Sequence, residues 1–426
     1  MHTLKMGRDL RRLIPQRVYD QGERGTAMRR KLFFLVGVAF CAVLATGSAP
    51  DTAAEKGTPP DSDALAQKLV TQSAGVHEGD IVLITGGARS LGLLEDIAVH
   101  VRKVGGFPLV QINSERMIRR MYDDVPTKYD SQPPSLDTKL ADLVTAVISV
   151  DFVENQGFLA SVPPERIAAR AKSSESVPKL WQDKGIRQVN LGNGLYPSAQ
   201  NARNFGVSEE QLAKSFWDGV NINYSELSTT GERARKVLAA GKEIRITSPR
   251  GTDLKMRIEG RPVFVSDGVI SPEETKRGGA ANLVWLPAGE VYLAPIPGTA
   301  EGKVVPEDDF YQGKEIKGMT VTFRAGKMSS MSAKSGLEAF KALYDASGPG
   351  KENFAFIDFG INPSIRLPEG SRMVNFVPSG MVTVGIGNNL WAGGDNGVPF
   401  GWSAFLSKCT VKVDGKVLVE NGVLKL

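Results

Sequence analysis

Apolar and polar residues alternate in two distinct textures along this chain. From Asp63 to Gly241, segments with helical spacing alternate with short apolar runs. "DALAQKLVTQSAG" repeats apolar residues three and four apart and stops at Gly75, which predicts a helix. "DIVLITG" (80–86) and "PLVQIN" (108–113) read as strands, and the amphipathic "LGLLEDIAVHVRKVGG" (91–106) between them reads as a helix. "AVISVD" (146–151) and "RQVNLG" (187–192) continue the strands, separated by the helical stretch "PPERIAARAKSSESVPKLWQDKG". The helices "SEEQLAKSFWDGVN" (208–221) and "SELSTTGERARKVLAAG" (225–241) close this part. Short apolar strands separated by helices predict an α/β layered domain with a mostly parallel sheet over residues 63–241.

From Lys242 the texture changes. "KEIRITSPRGTDLKMRIEGRPV", "LVWLPAGEVYLAP", "MTVTFRAGKMSSMSA", "NFAFIDFGI", "GMVTVGIG" and "TVKVDGKVLVENGVL" are strand-like and joined by Gly, Asp and Pro turns. The Asp-Gly and Asn-Gly pairs near the C-terminus are hairpin signals. Residues 242–426 are therefore expected to form a mostly antiparallel β domain with one or two helices, the clear one being "SGLEAFKALYDAS" (335–347). The run "LVWLPAGEVYLAP" (283–295) reads as one strand-like segment with a single carboxylate, Glu290, inside it. An ionised Glu in such a place costs several kcal/mol unless a cation, a metal or hydrogen bonds compensate.

Composition changes this picture mainly at the front. The whole chain carries +5, but residues 1–50 hold nine Lys/Arg against three Asp/Glu, which leaves the remainder at −1. No basic face for nucleic acid is expected. "MRRKLFFLVGVAFCAVLATGSA" (28–49) has a cationic start, a short apolar run and a small-residue exit, the pattern of an export signal peptide. Residues 1–27 then read as an upstream stretch before the true start at Met28, and residues 50–62 as a flexible linker. Only Cys409 remains after the leader, so no intrachain disulfide forms in the exported chain. Together these place the protein in a bacterial periplasm or cell envelope.

Two tempting chemistries are absent. "LITGGARSLG" (83–92) resembles a dinucleotide loop, but Ser90 interrupts its glycines and no tyrosine has a lysine four residues on. The three histidines are His2, His77 and His100, so the strand-rich part has none. A zinc site built on two imidazoles is impossible there, and no Gly-x-Ser-x-Gly elbow accompanies the histidines that remain.

Five stretches carry a family resemblance: "SPRGTDL" (248–254), "LPAGEVYLAP" (286–295), "FGINPSI" (359–365), "GMVTVGIGNN" (380–389) and "TVKVDGKVLVENG" (410–422). In their order and spacing they resemble the thermophilic metalloaminopeptidases typified by aminopeptidases T and S. The opening "GVHEGDIVLITG" resembles that family's first domain. The resemblance implies release of N-terminal residues from peptides by two divalent metals held by two glutamates, two histidines, a tyrosine and an aspartate. Such a pair of cations lowers the pKa of a bridging water and polarises the scissile carbonyl.

On this resemblance Glu290 stands at the first glutamate. The second falls on Phe356 by ungapped counting or on Asp358 with a two-residue deletion. The other ligand positions hold Thr383, Leu390, Gly401 and Ser403. At most two of the six ligands survive, which implies a degenerate site needing no cofactor. Such a site fits a catalytically impaired pseudoenzyme that binds a peptide or small molecule in the inter-domain cleft, where Trp391 and Trp402 are candidates to pack on the ligand. Two alternatives remain. One is an active aminopeptidase with one weakly held divalent ion at Glu290, Asp358 and Asp395; the other is a structural envelope protein. The resemblance also implies a homodimer. After expression in a bacterial host, N-terminal sequencing of the envelope fraction is expected to find a chain beginning near residue 50; retention of residues 28–49 would instead show an uncleaved anchor.

Overall fold

The computed structural model describes residues 61–426 apart from 156, 313, 367, 369 and 373–376. The expected leader at 28–49, the stretch 1–27 and the linker up to residue 60 lie outside the described residues. Asp61 and Ser62, placed in the linker by pattern, instead start the first helix, Ser62–Lys68, where the Asp61 side chain accepts the Ala64 N–H. No helix among the described residues is long and apolar enough to cross a membrane.

The first sheet has five strands, all parallel, in the order Phe107–Asn113, Ile81–Gly87, Ala146–Val150, Arg187–Leu191 and Leu283–Leu286. Four of them are the expected short apolar runs. Helices Leu91–Lys103, Glu209–Val220 and Tyr224–Ala240 match the predicted amphipathic segments. Ser208 and Gln211 form a reciprocal cap at the start of the second. The long helical stretch after Val162 divides into Pro164–Ser173 and Val177–Asp183. Beneath the sheet, Arg187 pairs with Asp80 at 2.6 Å and donates to the Ala74 and Gly75 carbonyls. Burial alone would raise the Asp80 carboxyl, but bonds from Thr145, Arg187 and His77 outweigh it and hold the group below its ordinary value.

Two larger antiparallel sheets follow, beside a two-stranded one formed by Asp309–Tyr311 and Lys314–Ile316. One has eight strands and includes Glu243–Thr247, Asp253–Arg257, Thr410–Val413 and Lys416–Glu420. The predicted hairpin turns hold: Asp414 and Gly415 both have positive φ, as do Asn421 and Gly422. The other sheet has the order Gly401–Leu406, Val382–Gly387, Phe354–Gly360, Glu290–Leu293 and Phe264–Ser266. The expected helix appears at Glu338–Ala346, with a shorter one at Pro272–Arg277. An α/β part with a parallel sheet and a strand-rich part with antiparallel sheets is therefore the observed fold class.

One expectation is corrected. "LVWLPAGEVYLAP" is not a single strand: Leu283–Leu286 ends the parallel sheet, and Glu290–Leu293 sits inside an antiparallel one. Pro287, Ala288 and Gly289 make the crossing after a cis Leu286–Pro287 bond. Gly289 has a φ of 126°, and an added Cβ would lie 2.5 Å from the Asn362 Cβ. The Asn362 side chain is fully buried and donates to the Gly219 and Ala288 carbonyls at 3.0 and 2.6 Å. Gly289→Ala is expected to lower stability by roughly 2–4 kcal/mol, read as a drop in the denaturant midpoint; a change under 0.5 kcal/mol would show that the crossing tolerates a side chain.

Candidate functional site

The crossing delivers Glu290 as the first residue of its strand, opposite Gly360 and Ser266. Alternation then sets the face, because residues two apart on a strand point to the same side. Tyr292 lies opposite Asp358, and Asp358 lies opposite Thr383 on the next strand. Ser403 and Phe405 occupy the same face one strand further, opposite Gly385 and Thr383. Glu290, Phe356, Asp358, Thr383 and Ser403 all line one cavity of about 530 Å³.

The parallel sheet supplies the opposite wall. Gln188 and Asn193 come from the strand Arg187–Leu191 and the turn after it, and Leu283 and Trp285 from the neighbouring strand. Asn193 takes a positive φ of 47°, its N–H bonds the Asn190 side chain, and its own amide donates to Glu290 Oε1 at 2.8 Å. That is the hydrogen-bond partner the structure gives Glu290. Asp358 Oδ1 and Thr383 Oγ1 are fully buried without any partner.

Aromatic rings crowd the site. Trp391 lies 4.5 Å from Phe356, 5.2 Å from Tyr292 and 5.4 Å from Trp285, measured between ring centres. Trp285 and Tyr292 meet at 5.3 Å, and Phe264 stacks on Tyr292 at 5.7 Å. Gly385 makes room for the Phe356 ring, since a Cβ there would come within 2.3 Å of it.

The positions assigned by family resemblance divide. Phe356 and Asp358 share the strand face and both line the cavity, as do Thr383, Leu390 and Ser403. Gly401 is exposed and does not line it. Asp395 is also exposed and lies outside the lining, away from the two buried carboxylates. Of the two tryptophans, Trp391 lines the cavity, whereas Trp402 packs against Phe340 with ring centres 5.8 Å apart. Pattern reading missed Asn193 and Trp285. Trp285 stands in the same apolar run as Glu290, and Asn193 in an Asn-Gly turn, so both were visible only as turn and core residues.

The donor set does not fit a pair of transition ions. Neither His77 nor His100 lines the cavity: His77 is exposed, and His100 is buried against Asp63, with Nε2 and Oδ1 2.8 Å apart. No group of three or more His, Cys, Asp or Glu able to hold a metal occurs among the described residues. Tight two-metal sites draw on imidazole or thiolate and on bridging carboxylates, and here Phe356 and Leu390 occupy the surrounding volume.

A parallel α/β part joined to an antiparallel, strand-rich part, with a carboxylate-lined cavity between the two kinds of sheet, defines the fold class of the chain. The sequence matches the model of the thermophilic metalloprotease family M29 over residues 60–348, more than half its length, and the chain belongs to that family. The matched stretch includes Glu290 and ends before Asp358. Among solved structures, wild-type AmpT from Thermus thermophilus has a TM-score of 0.64 at 18% identity, covering 86% of this chain and 99% of that one. A 2,5-dihydroxypyridine dioxygenase from Pseudomonas putida KT2440 has a TM-score of 0.53 at 14% identity, covering 86% and 98%. A search of curated proteins found no match.

Electrostatics set the state of the two acids. Burial pushes the Glu290 carboxyl from its ordinary 4.5 up to about 7, opposed only by the Asn193 bond. Asp358 rises well above the ordinary range, first through burial and then through the neighbouring Glu290 charge, against one backbone bond. These two groups therefore bind protons more tightly in the folded than in the unfolded chain, and the stability they contribute is lost as pH rises from about 4.5 through 7. Glu290→Gln is expected to remove part of that fall, gaining on the order of 1–3 kcal/mol at pH 8 and little at pH 4. Urea melts across pH would check this; parallel curves for the two proteins would count against it.

Proposed function

We propose that this chain is a non-hydrolytic member of the M29 family that captures a peptide or small molecule in the Glu290–Asp358 cavity. One observation carries the reading: among the described residues the cavity wall offers two carboxylates, amides and aromatic rings, and no imidazole. Hydrolysis in the manner of a two-metal peptidase needs a water made acidic by paired cations, and two buried, proton-retaining acids supply neither the charge nor the ligand count. The cavity volume of about 530 Å³ falls in the range of small-molecule sites.

Backbone likeness does not choose the chemistry. One solved neighbour is named AmpT and another is named as a dioxygenase, so this fold hosts more than one activity. The cationic leader followed by a short apolar run supports export to the periplasm or envelope. The family resemblance supports a homodimer.

Purified protein spanning residues 50–426 is expected to hold no stoichiometric zinc or cobalt by elemental analysis. It is also expected to leave aminoacyl-p-nitroanilides uncut. Two metals per chain, with turnover lost in Glu290→Gln, would overturn the proposal.

A further inference from the structure

The polar groups that this cavity leaves accessible are amides and a hydroxyl, not its acids. Glu290 and Asp358 are buried in the wall, whereas Gln182, Gln188 and Ser403 are half-buried and line the same space. Gln182 stands one helical turn after Pro178, another lining residue, on Val177–Asp183. Gln188 lies opposite Leu283 on the parallel sheet, between the buried Arg187 and Val189. Among the described residues, none of the side chains of Gln182, Gln188 and Ser403 has a hydrogen-bond partner.

The inventory of these groups selects the ligand. A carboxamide offers two N–H donors and a carbonyl acceptor, and a hydroxyl both donates and accepts. Neighbouring hydroxyls on a ligand use both ends of such an amide, one donating to its oxygen while the next accepts its N–H. An ammonium group can only donate and a carboxylate can only accept, so each leaves half of every amide unused. Anions are disfavoured further, because among the described residues no Lys, Arg or His lines the cavity and two acids do.

The rings set the shape. Trp285 and Trp391 both line the cavity and meet with their planes 87° apart and their centres 5.4 Å apart. Phe356 meets Trp391 at 63°. Such a corner suits a puckered ring whose C–H groups rest on two aromatic faces, whereas a flat heterocycle is held best between parallel ones.

We infer that this cavity binds a neutral saccharide. Its adjacent hydroxyls exchange hydrogen bonds with Gln182, Gln188 and Ser403, and its C–H face packs into the corner of Trp285 and Trp391. The inference rests on the reading of this cavity as a binding site and narrows it to a ligand class.

Titration calorimetry of protein spanning residues 50–426 tests it with the methyl glycosides of glucose, galactose and mannose. The three matching uronates, uracil and leucyl-glycine serve as comparisons. At least one glycoside is expected to bind with a Kd of about 1 mM or tighter, and its uronate at least about tenfold more weakly. Gln182→Leu and Gln188→Leu are each expected to weaken that glycoside by about five- to tenfold. Gln182 sits on a half-exposed helix, so its variant carries the test if the strand variant fails to fold.

No binding by any of the three glycosides up to about 20 mM would overturn the saccharide inference, as would equal binding of the uronate or unchanged affinity in the folded variants. Tighter binding of uracil or leucyl-glycine than of every glycoside would also overturn it, while leaving the binding reading intact. Peptidase turnover with two bound metals would instead bring down the binding reading itself.

Discussion

The side-chain amide of Asn362 holds together the three parts on which the site depends. It is fully buried and donates to the Gly219 carbonyl at the end of a helix and to the Ala288 carbonyl in the sheet crossing. Its oxygen accepts the Ser364 N–H, while the adjacent Ile361 N–H bonds the Gly289 carbonyl. On the other side the Gly192 N–H bonds the Leu286 carbonyl. A buried amide with every group satisfied specifies one arrangement, because any other leaves donors unpaired in a dry environment. The arrangement it specifies brings Asn193, from the parallel sheet, to Glu290, on the antiparallel one.

Once the crossing is set, strand alternation does the rest. The period of two puts Glu290, Asp358, Thr383 and Ser403 on one face, whatever those residues are. The backbone thus makes a place where several side chains converge, and here they are two carboxylates, two hydroxyls and an aromatic ring. Aromatic and aliphatic groups line the same space, and the burial they impose raises both carboxyls above their ordinary range. A site of this kind favours neutral or singly charged states over bare divalent charge. Family membership and the nature of the site are separate matters, and the distance between them is the identity of a few inward-facing residues.

The main layers were legible from periodicity. The parallel strands at Ile81–Gly87, Ala146–Val150 and Arg187–Leu191 are apolar runs flanked by amphipathic helices, and burial on both faces requires such runs. The segment around Glu290 was misread as a single strand because two short strands in different sheets look like one apolar run when only local composition is visible. Glu290 itself was conspicuous, being the one acid in that run. Asp358 was visible too, in competition with Phe356, and the strand places both on the same face. Trp391 and Trp402 are eleven residues apart on different elements, so sequence nearness to the site did not separate the ring that lines the cavity from the one that packs on Phe340.

Sequence by itself determined the division into an alternating helix–strand part and a strand-rich part, the scarcity of imidazoles and the presence of one acid in an apolar run. Each of these depends only on residue type and local spacing. Tertiary structure alone decided that Asn193 bonds Glu290, that Asp358 Oδ1 and Thr383 Oγ1 lack partners, and that Asp395 stays at the surface. Those outcomes depend on contacts between residues far apart in the chain, from Asn193 to Ser403, where close packing rather than any local preference selects what each side chain meets.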